Sequence, residues 1–228
     1  MNLNDSSSTV GVLLSGGLDS SILLAQLLRE SARVQPFYIR CGLVWEAAEL
    51  NFVRRFLASL VSERLSELVV LDLPLADLYE NHWSIHGLNT PGADTPDEAV
   101  FLPGRNAVLI IKAALWCQIH GIERLALAPL ASNPFADASD EFFQDFQDVL
   151  RHTGPRPVQV VRPFAQMKKR QVMQLGRELP LHLTFSCIAP RGQIHCGDCN
   201  KCAERKAAFR DAEMADPTHY ANNGRGLH

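Results

Sequence analysis

The sequence predicts an α/β fold in which helices cover both faces of a doubly wound parallel sheet. Short apolar, β-branched segments alternate along the chain with segments of helical periodicity, which is the pattern of parallel strands joined by crossover helices. The first apolar segment leads directly into a Ser-Gly-Gly turn, and four cysteines crowd together near the C-terminus. The 228 residues, 46% hydrophobic and 21% charged, suffice for one large domain with or without a small appendage.

Five strands and five helices are expected in alternation. The predicted strands are residues 9–14, 34–39, 68–73, 125–128 and 158–161. The predicted helices are residues 20–30, 45–60, 105–120, a helix that begins near residue 140 and runs through residue 150, and residues 169–178. Gly121 is well suited to end the third of these helices, and Ser139 or Asp140 to cap the fourth.

Charge and hydropathy exclude several classes of protein. The 22 basic and 25 acidic residues give a formal net charge of −3, which argues against a nucleic-acid-binding surface as the main function. The longest apolar stretch, residues 107–119, is interrupted by Lys112 and is shorter than the roughly 20 residues of a membrane span. The first residues lack the basic flank and apolar stretch of a signal peptide, so we expect a cytoplasmic protein without membrane contact.

Residues 81–104 interrupt the alternation. This segment contains three prolines, shows no periodicity, and includes His82, Trp83 and His86. A connection of this length inside a compact domain is usually functional or disordered. We expect an ordered loop over the active site.

Residues 15–21, Ser-Gly-Gly-Leu-Asp-Ser-Ser, join the first strand to the first helix. The two glycines allow backbone N–H groups to approach an anion, and the N-terminus of the helix adds its positive dipole end. The loop contains no lysine, so it is not the P-loop that ends in Gly-Lys-Ser/Thr. A simple glycine turn with a helix cap is the alternative.

The same residues resemble the pyrophosphate-binding SGGxDS loop of the ATP pyrophosphatases, whose PP-loop domain has an adenine nucleotide alpha hydrolase-like fold. The resemblance implies that the loop binds ATP through its pyrophosphate and the accompanying magnesium ion. The implied binding residues are Ser15, Gly16, Gly17, Leu18, Asp19, Ser20 and Ser21. It also implies that Tyr38 and Arg40, at the end of the second strand, lie near the adenine.

The cysteine cluster consists of Cys187, Cys196, Cys199 and Cys202. Four thiolates at these short spacings suit a tetrahedral Zn²⁺ ion, and they leave no position for water, so we expect one structural zinc per chain. An iron–sulfur cluster or four free thiols are the alternatives. Cys41 and Cys117 stand alone in the sequence and are expected to be small buried hydrophobes.

Four segments together resemble the 7-cyano-7-deazaguanine synthases. Residues 186–209 are similar to their Ser-Cys followed by CGxCxxCxxRxxAF, and residues 101–106 (FLPGRN) to their VPGRN. Residues 135–142 fit the place of YPDCRPEF, and residues 163–176 that of PLxxLTKAEIVxLG. The resemblance implies catalytic roles for Asp19, Arg105, Asp137 and Lys169, and nucleotide contacts for Gly104 and Asn106. Lys169 could also be a solvated residue at a helix start.

The family implies an ATP-dependent ligase of queuosine biosynthesis that forms AMP and pyrophosphate. It would adenylate 7-carboxy-7-deazaguanine or a similar acid, amidate it with ammonia or another amine, and dehydrate the amide to the nitrile. We expect a nucleotide-binding domain over residues 1–180, a zinc-binding region with a helix over residues 181–228, and a homodimer.

Two departures from the family pattern leave other functions open. Residues 38–46 read YIRCGLVWE where the family has Tyr-Gly-Gln-Arg/Lys-His and a glutamate, and Ala138 and Ser139 replace a cysteine and an arginine. A divergent member could stop at the amide or conjugate the acid to an amine on a protein partner. A zinc-stabilised nucleotide sensor without turnover is a further alternative, and tRNA binding is disfavoured by the acidic balance.

Overall fold

A computed structural model describes residues 9–31 and 33–222 of the chain. Its sheet has five parallel strands, which are β1 (Thr9–Leu13), β2 (Arg33–Arg40), β3 (Val69–Asp72), β4 (Arg124–Ala126) and β5 (Gln159–Val161). Their order in the sheet is β3-β2-β1-β4-β5, so the doubly wound fold predicted from the sequence is confirmed. The N-terminal residues on which the signal-peptide expectation rests lie outside the described part.

Helices flank the sheet on both faces. The longer ones are α1 (Leu18–Glu30), α2 (Glu46–Ser59), α5 (Arg105–His120), α6 (Asp140–Arg151), α7 (Lys169–Leu175) and α8 (Asn200–Asp211). Two single turns, α3 (Ala76–Tyr79) and α4 (Trp83–His86), and three 3₁₀ turns at Asp97–Val100, Ala136–Ala138 and Leu181–Leu183 complete the described elements. Within residues 9–31 and 33–222, no helix combines the length and apolarity needed to cross a membrane.

Strand β1 is central and determines where a ligand can enter. It pairs with β2 from Thr9↔Arg33 onward on one side and with β4 from Val10↔Arg124 onward on the other. The strand order therefore reverses between β1 and β4. In open parallel sheets of this kind, the crevice beyond the carboxyl ends of the strands at the reversal is the usual ligand site.

Two apolar clusters cover the two faces of the sheet. One contains α1 side chains such as Leu23 and Leu27 with Phe56 and Phe209, and the other contains much of α5 with Phe37. Helix α5 packs closely on β1 at Gly11, where an added Cβ would lie 2.8 Å from the Phe37 ring and 3.1 Å from the sulfur of Cys117. Cys41 and Cys117 are buried and outside the cysteine cluster, as the sequence predicts.

Several boundaries differ from the prediction. The helix predicted over residues 169–178 ends at Leu175, because the backbone turns at Gly176, where an added Cβ would lie 2.6 Å from Ile22. The fourth strand lies at Arg124–Ala126 instead of residues 125–128. Ser139 caps α6, since its Oγ accepts a hydrogen bond from the Phe142 N–H at 3.1 Å. Residues 81–104 are not wholly irregular, because they contain α4 and the 3₁₀ turn at Asp97–Val100.

Candidate active site

The Ser-Gly-Gly loop forms the turn from β1 into α1. Gly16 has φ +76°, and a Cβ there would lie 2.9 Å from Val53 and 3.3 Å from Glu49, so only glycine fits without strain. Gly17 is the N-cap of α1 and offers no side-chain cap. The first N–H groups of α1 therefore remain available to an anion.

The hydroxyl groups of the loop bond to each other. The Oγ atoms of Ser15 and Ser20 lie 3.0 Å apart, and Ser20 Oγ also accepts a hydrogen bond from the Ser15 N–H at 3.2 Å. Ser21 is fully buried, and its Oγ has no hydrogen-bond partner within the described residues. Ser15 and Ser20 thus face the open end of the loop, whereas Ser21 points into the fold.

Asp19 and Lys169 form an ion pair at the start of two helices. The Lys169 ammonium donates to both carboxylate oxygens of Asp19, at 2.8 and 2.7 Å. About a quarter of each side chain is exposed (25% and 26%), so the pair faces a solvent-accessible crevice and is not a core feature. The structure thus joins two of the predicted catalytic residues although they are 150 positions apart in the chain.

Two cavities meet beside this pair. The first, of about 240 Å³, lies at the carboxyl ends of β1, β2 and β4, and the second, of about 220 Å³, lies towards the cysteine cluster. Both cavities are lined by Ser15, Gly17, Asp19, Glu49 and Arg105. Two ligands, one in each cavity, would therefore meet beside these five residues.

The first cavity is lined by apolar and polar residues in similar proportion. Its wall includes Phe37, Ile39 and Leu127, and its polar residues include Tyr38 and Asn106. Such a mixture suits a flat heteroaromatic ring held by a few directed hydrogen bonds.

The second cavity combines stacked aromatic rings with charged groups. Trp45 and Trp83 stack with ring centroids 5.7 Å apart and an interplanar angle of 24°. Trp83, Val100 and Leu102 bring the 81–104 segment to the wall of this cavity, and Lys169 lines it from α7. The remaining charged side chains of its lining come from α8 and are Lys201, Glu204 and Arg205.

Arg105 carries an unused hydrogen-bond donor into this region. Its Nε is buried and has no partner within the described part of the chain. A positive side chain on the first residue of a helix is also unfavourably placed for the helix dipole. Both facts point to an anion as the missing partner of Arg105.

Glu49 lies opposite Arg105, on α2. Its Oε2 accepts a hydrogen bond from the Tyr38 hydroxyl at 2.7 Å. Burial raises the pKa of Glu49 to about 7, against the opposing effects of Arg105 and of the bond from Tyr38. Burial, and then the charge of Glu49, raise the pKa of Tyr38, so the phenol stays protonated and acts as the donor.

Arg40, Gly104 and Asp137, like Gly16 and Ser21 of the loop, lie outside the walls of both cavities. Asp137 Oδ2 accepts a hydrogen bond from the Asn106 N–H at 3.1 Å, so this carboxylate caps the start of α5. Gly104, with φ +71°, is the N-cap residue of the same helix. Arg40 is half exposed and pairs with Glu46 and Asp72.

The four cysteines of the cluster are all buried and could hold a metal ion such as zinc. Their sulfurs lie within 4.8 Å of one another, with 3.5 Å between Cys187 and Cys196 and 3.9 Å between Cys196 and Cys202. Four ligands on a tetrahedron with Zn–S bonds of about 2.3 Å are separated by about 3.8 Å. Backbone N–H groups of Ala189 and Cys196 donate to the sulfur of Cys187, as expected around a metal-bound thiolate.

The cysteine cluster also holds the 81–104 segment in place. The Asn200 N–H donates to the Pro91 carbonyl at 3.0 Å, and its side-chain amide donates to the Thr95 carbonyl at 2.8 Å. The Ala93 N–H donates to the Asp198 carbonyl at 2.9 Å. Part of the second cavity's wall is therefore fixed by the turn that carries Cys199.

Comparison with known proteins identifies the family. The model of the family described as "Queuosine biosynthesis protein QueC" matches residues 9–213, which is most of the chain. The chain belongs to the QueC family. The matched region includes both the loop of residues 15–21 and the four cysteines, the two features on which the sequence resemblance rests.

Curated QueC relatives named 7-cyano-7-deazaguanine synthase match over nearly their whole length. The protein of Methanothrix thermoacetophila is 30% identical over 226 residues, which cover 91% of this chain and 96% of the relative. That of Acidobacterium capsulatum is 30% identical over 230 residues, which cover 92% and 96%. Among solved structures, a 4-thiouridine synthetase–RNA complex with bound ATP aligns with a TM-score of 0.47 at 15% identity, over 90% of this chain and 50% of that one.

Sequence reasoning missed several residues of this QueC site. Glu49 gave no motif signal, because it stands three residues after Glu46 on the exposed-looking start of a helix. Trp45 begins a predicted helix, and helical periodicity gives no sign that its ring lines a cavity. Lys201 and Glu204, on the helix that begins within the cysteine cluster, were missed because neither stands out among the other charged residues of the sequence.

Proposed function

We propose that this QueC-family chain is an ATP-dependent ligase that converts 7-carboxy-7-deazaguanine to 7-cyano-7-deazaguanine. ATP adenylates the carboxylate and releases pyrophosphate. Ammonia then displaces AMP to give the amide, and a second adenylation, on the amide oxygen, permits dehydration to the nitrile. A carboxylate oxygen is a poor leaving group, so activation as an acyl-adenylate makes the amidation possible.

The observation that carries the proposal is the junction of the two cavities. ATP would occupy the first cavity, with its adenosine against the apolar wall near Tyr38. Its pyrophosphate would lie on the loop of residues 15–21, where glycine, hydroxyl groups and the α1 N-terminus offer neutral donors. The α-phosphate would then lie at the junction, within reach of an acid in the second cavity.

Asp19 and Lys169 supply the charges that the departing pyrophosphate needs. In our proposal Lys169 neutralises phosphate oxygens, and Asp19 holds the magnesium ion that accompanies ATP. Mg²⁺ typically takes one or two carboxylates together with phosphate oxygens and waters, which fits a single aspartate here. Arg105, whose buried Nε lacks a partner among the described residues, would bind the carboxylate or α-phosphate at the junction.

The acid would occupy the second cavity. Its flat bicyclic ring suits the aromatic wall of Trp45 and Trp83, and its carboxylate would point towards Arg105. We further propose that the four cysteines bind one zinc ion with a structural role. The ion would fix residues 181–222, and with them the 81–104 segment against the cavity, as a smaller region beside the nucleotide-binding domain.

One observation favours a second candidate for the amine that receives the activated acid. Trp45 belongs to the segment in which this chain departs from its family, and it lines the second cavity. A reshaped cavity could admit a larger amine, including one on a protein partner, so that the reaction stops at an amide.

The nucleotide product tests the activation step. We expect 7-carboxy-7-deazaguanine to stimulate release of AMP and pyrophosphate from Mg-ATP, and Asp19→Ala to abolish both products in a folded protein. A matched control is Asp77→Ala, which removes an exposed carboxylate on α3, outside the cavities. Release of ADP, or near-normal turnover by Asp19→Ala, would contradict the proposal.

A further inference from the structure

We propose that Glu49 is a catalytic residue of the amidation step, where it accepts the proton that the attacking amine loses. This inference deepens the proposed function and rests on it, because it assumes an acyl-adenylate at the junction of the two cavities. It assigns a role to a residue that carries no recognisable motif.

The position of Glu49 is the first support. It is one of the five residues that line both cavities, so it faces the place where acid, nucleotide and amine would meet. Helix α2 holds it against the Ser-Gly-Gly loop, since a Cβ at Gly16 would lie 3.3 Å from Glu49 Cγ. The Tyr38 hydroxyl, donating at 2.7 Å, fixes the orientation of the carboxylate.

The other carboxylates near the junction are already engaged. Both oxygens of Asp19 accept hydrogen bonds from Lys169. Glu204 is exposed and accepts a hydrogen bond from Lys201 at 2.6 Å. Of the described carboxylates that line either cavity beside the nucleotide loop, Glu49 is the one paired with a neutral donor and no lysine.

The charges around Glu49 suit a proton acceptor near neutral pH. The groups that face it are Tyr38 from β2, Arg105 from α5 and Glu46 from its own helix. Burial and the charge of Glu46 raise its pKa, whereas Arg105 and the Tyr38 hydroxyl lower it, and the result is a pKa of about 7. A general base works best when its pKa lies near the working pH.

The chemical step balances without any further reagent. The nitrogen lone pair of ammonia forms a bond to the acyl carbon, and the bond from that carbon to the AMP oxygen breaks, with its electron pair leaving on AMP. The nitrogen then carries one proton too many for a neutral amide, and the Glu49 carboxylate accepts it. Release of that proton to water restores the ionised carboxylate for the next turnover.

The experiment separates adenylation from amidation in the full-length protein. Acid-dependent exchange of labelled pyrophosphate into ATP reports adenylation, and mass spectrometry after a single turnover with ammonia reports amide formation. We expect Glu49→Gln to keep exchange within a few fold of the unmodified protein and to slow amide formation by about 100-fold or more. Glu63→Gln is the matched control, because it makes the same side-chain change at an exposed residue outside both cavities and should alter neither rate substantially.

The pH dependence of the rate of amide formation distinguishes a catalytic role of Glu49 from a purely structural one. With rates expressed per unprotonated ammonia, amide formation by the unmodified protein should rise through a pH of about 7, and Glu49→Gln should lose that rise. Glu49→Asp, which keeps a carboxylate at a shorter reach, should recover part of the rate, and its thermal unfolding shows whether the site still folds.

Different failures have different meanings. Unimpaired amide formation by Glu49→Gln, or loss of exchange in step with amide formation, would overturn the role of Glu49 while leaving adenylation established. Absence of acid-dependent exchange in the unmodified protein would overturn the proposed function itself, and this inference with it.

Discussion

The ammonium of Lys169 donates to both carboxylate oxygens of Asp19, at 2.8 and 2.7 Å. Asp19 lies in the first turn of α1 and Lys169 begins α7, so the contact joins two helices whose N-termini both face the crevice. In a partly exposed setting such a pair contributes little to stability. Because the pair lies beside both cavities, we propose that it serves the ligand instead.

Replacement of Lys169 should therefore affect activity more than folding. We expect Lys169→Met to reduce acid-dependent pyrophosphate release by at least about 100-fold, because a positive charge that stabilises developing phosphate charge is lost. The free energy of unfolding should change by less than about 1 kcal/mol. Lys168→Met, at the exposed neighbouring residue, is the control for the same side-chain change, and equal losses in the two variants would contradict the assignment.

The cysteine cluster should control metal content. Cys199→Ser should lower bound zinc from one equivalent to well below half, measured by elemental analysis of purified protein, and should lower the midpoint of thermal unfolding, because metal binding contributes to folding. Cys41→Ser changes a buried cysteine outside the cluster and should keep the metal. Well-folded unmodified protein with less than half an equivalent of zinc would count against a structural zinc site.

Arg205 should be a large contributor to stability. Its side chain is 1% exposed and donates to the Leu181 carbonyl, the Thr184 and Thr218 hydroxyls and Ser186 Oγ, at 2.6–3.2 Å. Arg205→Met would remove these four hydrogen bonds from a buried side chain, so we expect denaturant unfolding to show a loss of about 2–4 kcal/mol. Arg210→Met, on the exposed side of the same helix, should stay within about 0.5 kcal/mol.

Glu49 should give stability a characteristic pH dependence. Its pKa is raised in the folded protein, so its contribution to stability is fully present below the ordinary value of 4.5 and is lost as the pH rises to about 7. Glu49→Gln should remove this loss. The free energy of unfolding of the variant, relative to that of the unmodified protein, should therefore be greater at pH 8 than at pH 4.5, by at most about 3 kcal/mol. The check is denaturant unfolding at both pH values, and a difference independent of pH would contradict the raised pKa.

The sequence could predict those parts of the fold that depend on local pattern. The alternation of strands and helices, the turn after β1 and the clustering of the cysteines all follow from residue type and spacing. The end of α7 could not be predicted, because the close contact between Gly176 and Ile22 that accompanies it is a tertiary one. The single turns within residues 81–104 are too short for periodicity to reveal.

The contacts among the site residues could be found only from the structure. Lys169 was expected near phosphate from family resemblance, but its pairing with Asp19 depends on how α7 packs against α1. Glu49 and Trp45 become visible only when α2 is placed against β2 and the 81–104 segment. Asp137, expected in catalysis by resemblance, accepts a hydrogen bond from the Asn106 N–H at the start of α5, and its catalytic role stays a prediction.

The identity of the nucleobase product tests the central proposal most directly. The full-length protein would be incubated with 7-carboxy-7-deazaguanine, Mg-ATP and ammonia alone, and the products followed by mass spectrometry. Our account predicts the amide first and then the nitrile 7-cyano-7-deazaguanine, with AMP released for each of the two activations. Acid-dependent AMP release without any nitrile, followed by a covalent nucleobase adduct on an added protein, would contradict it and favour conjugation to a larger amine.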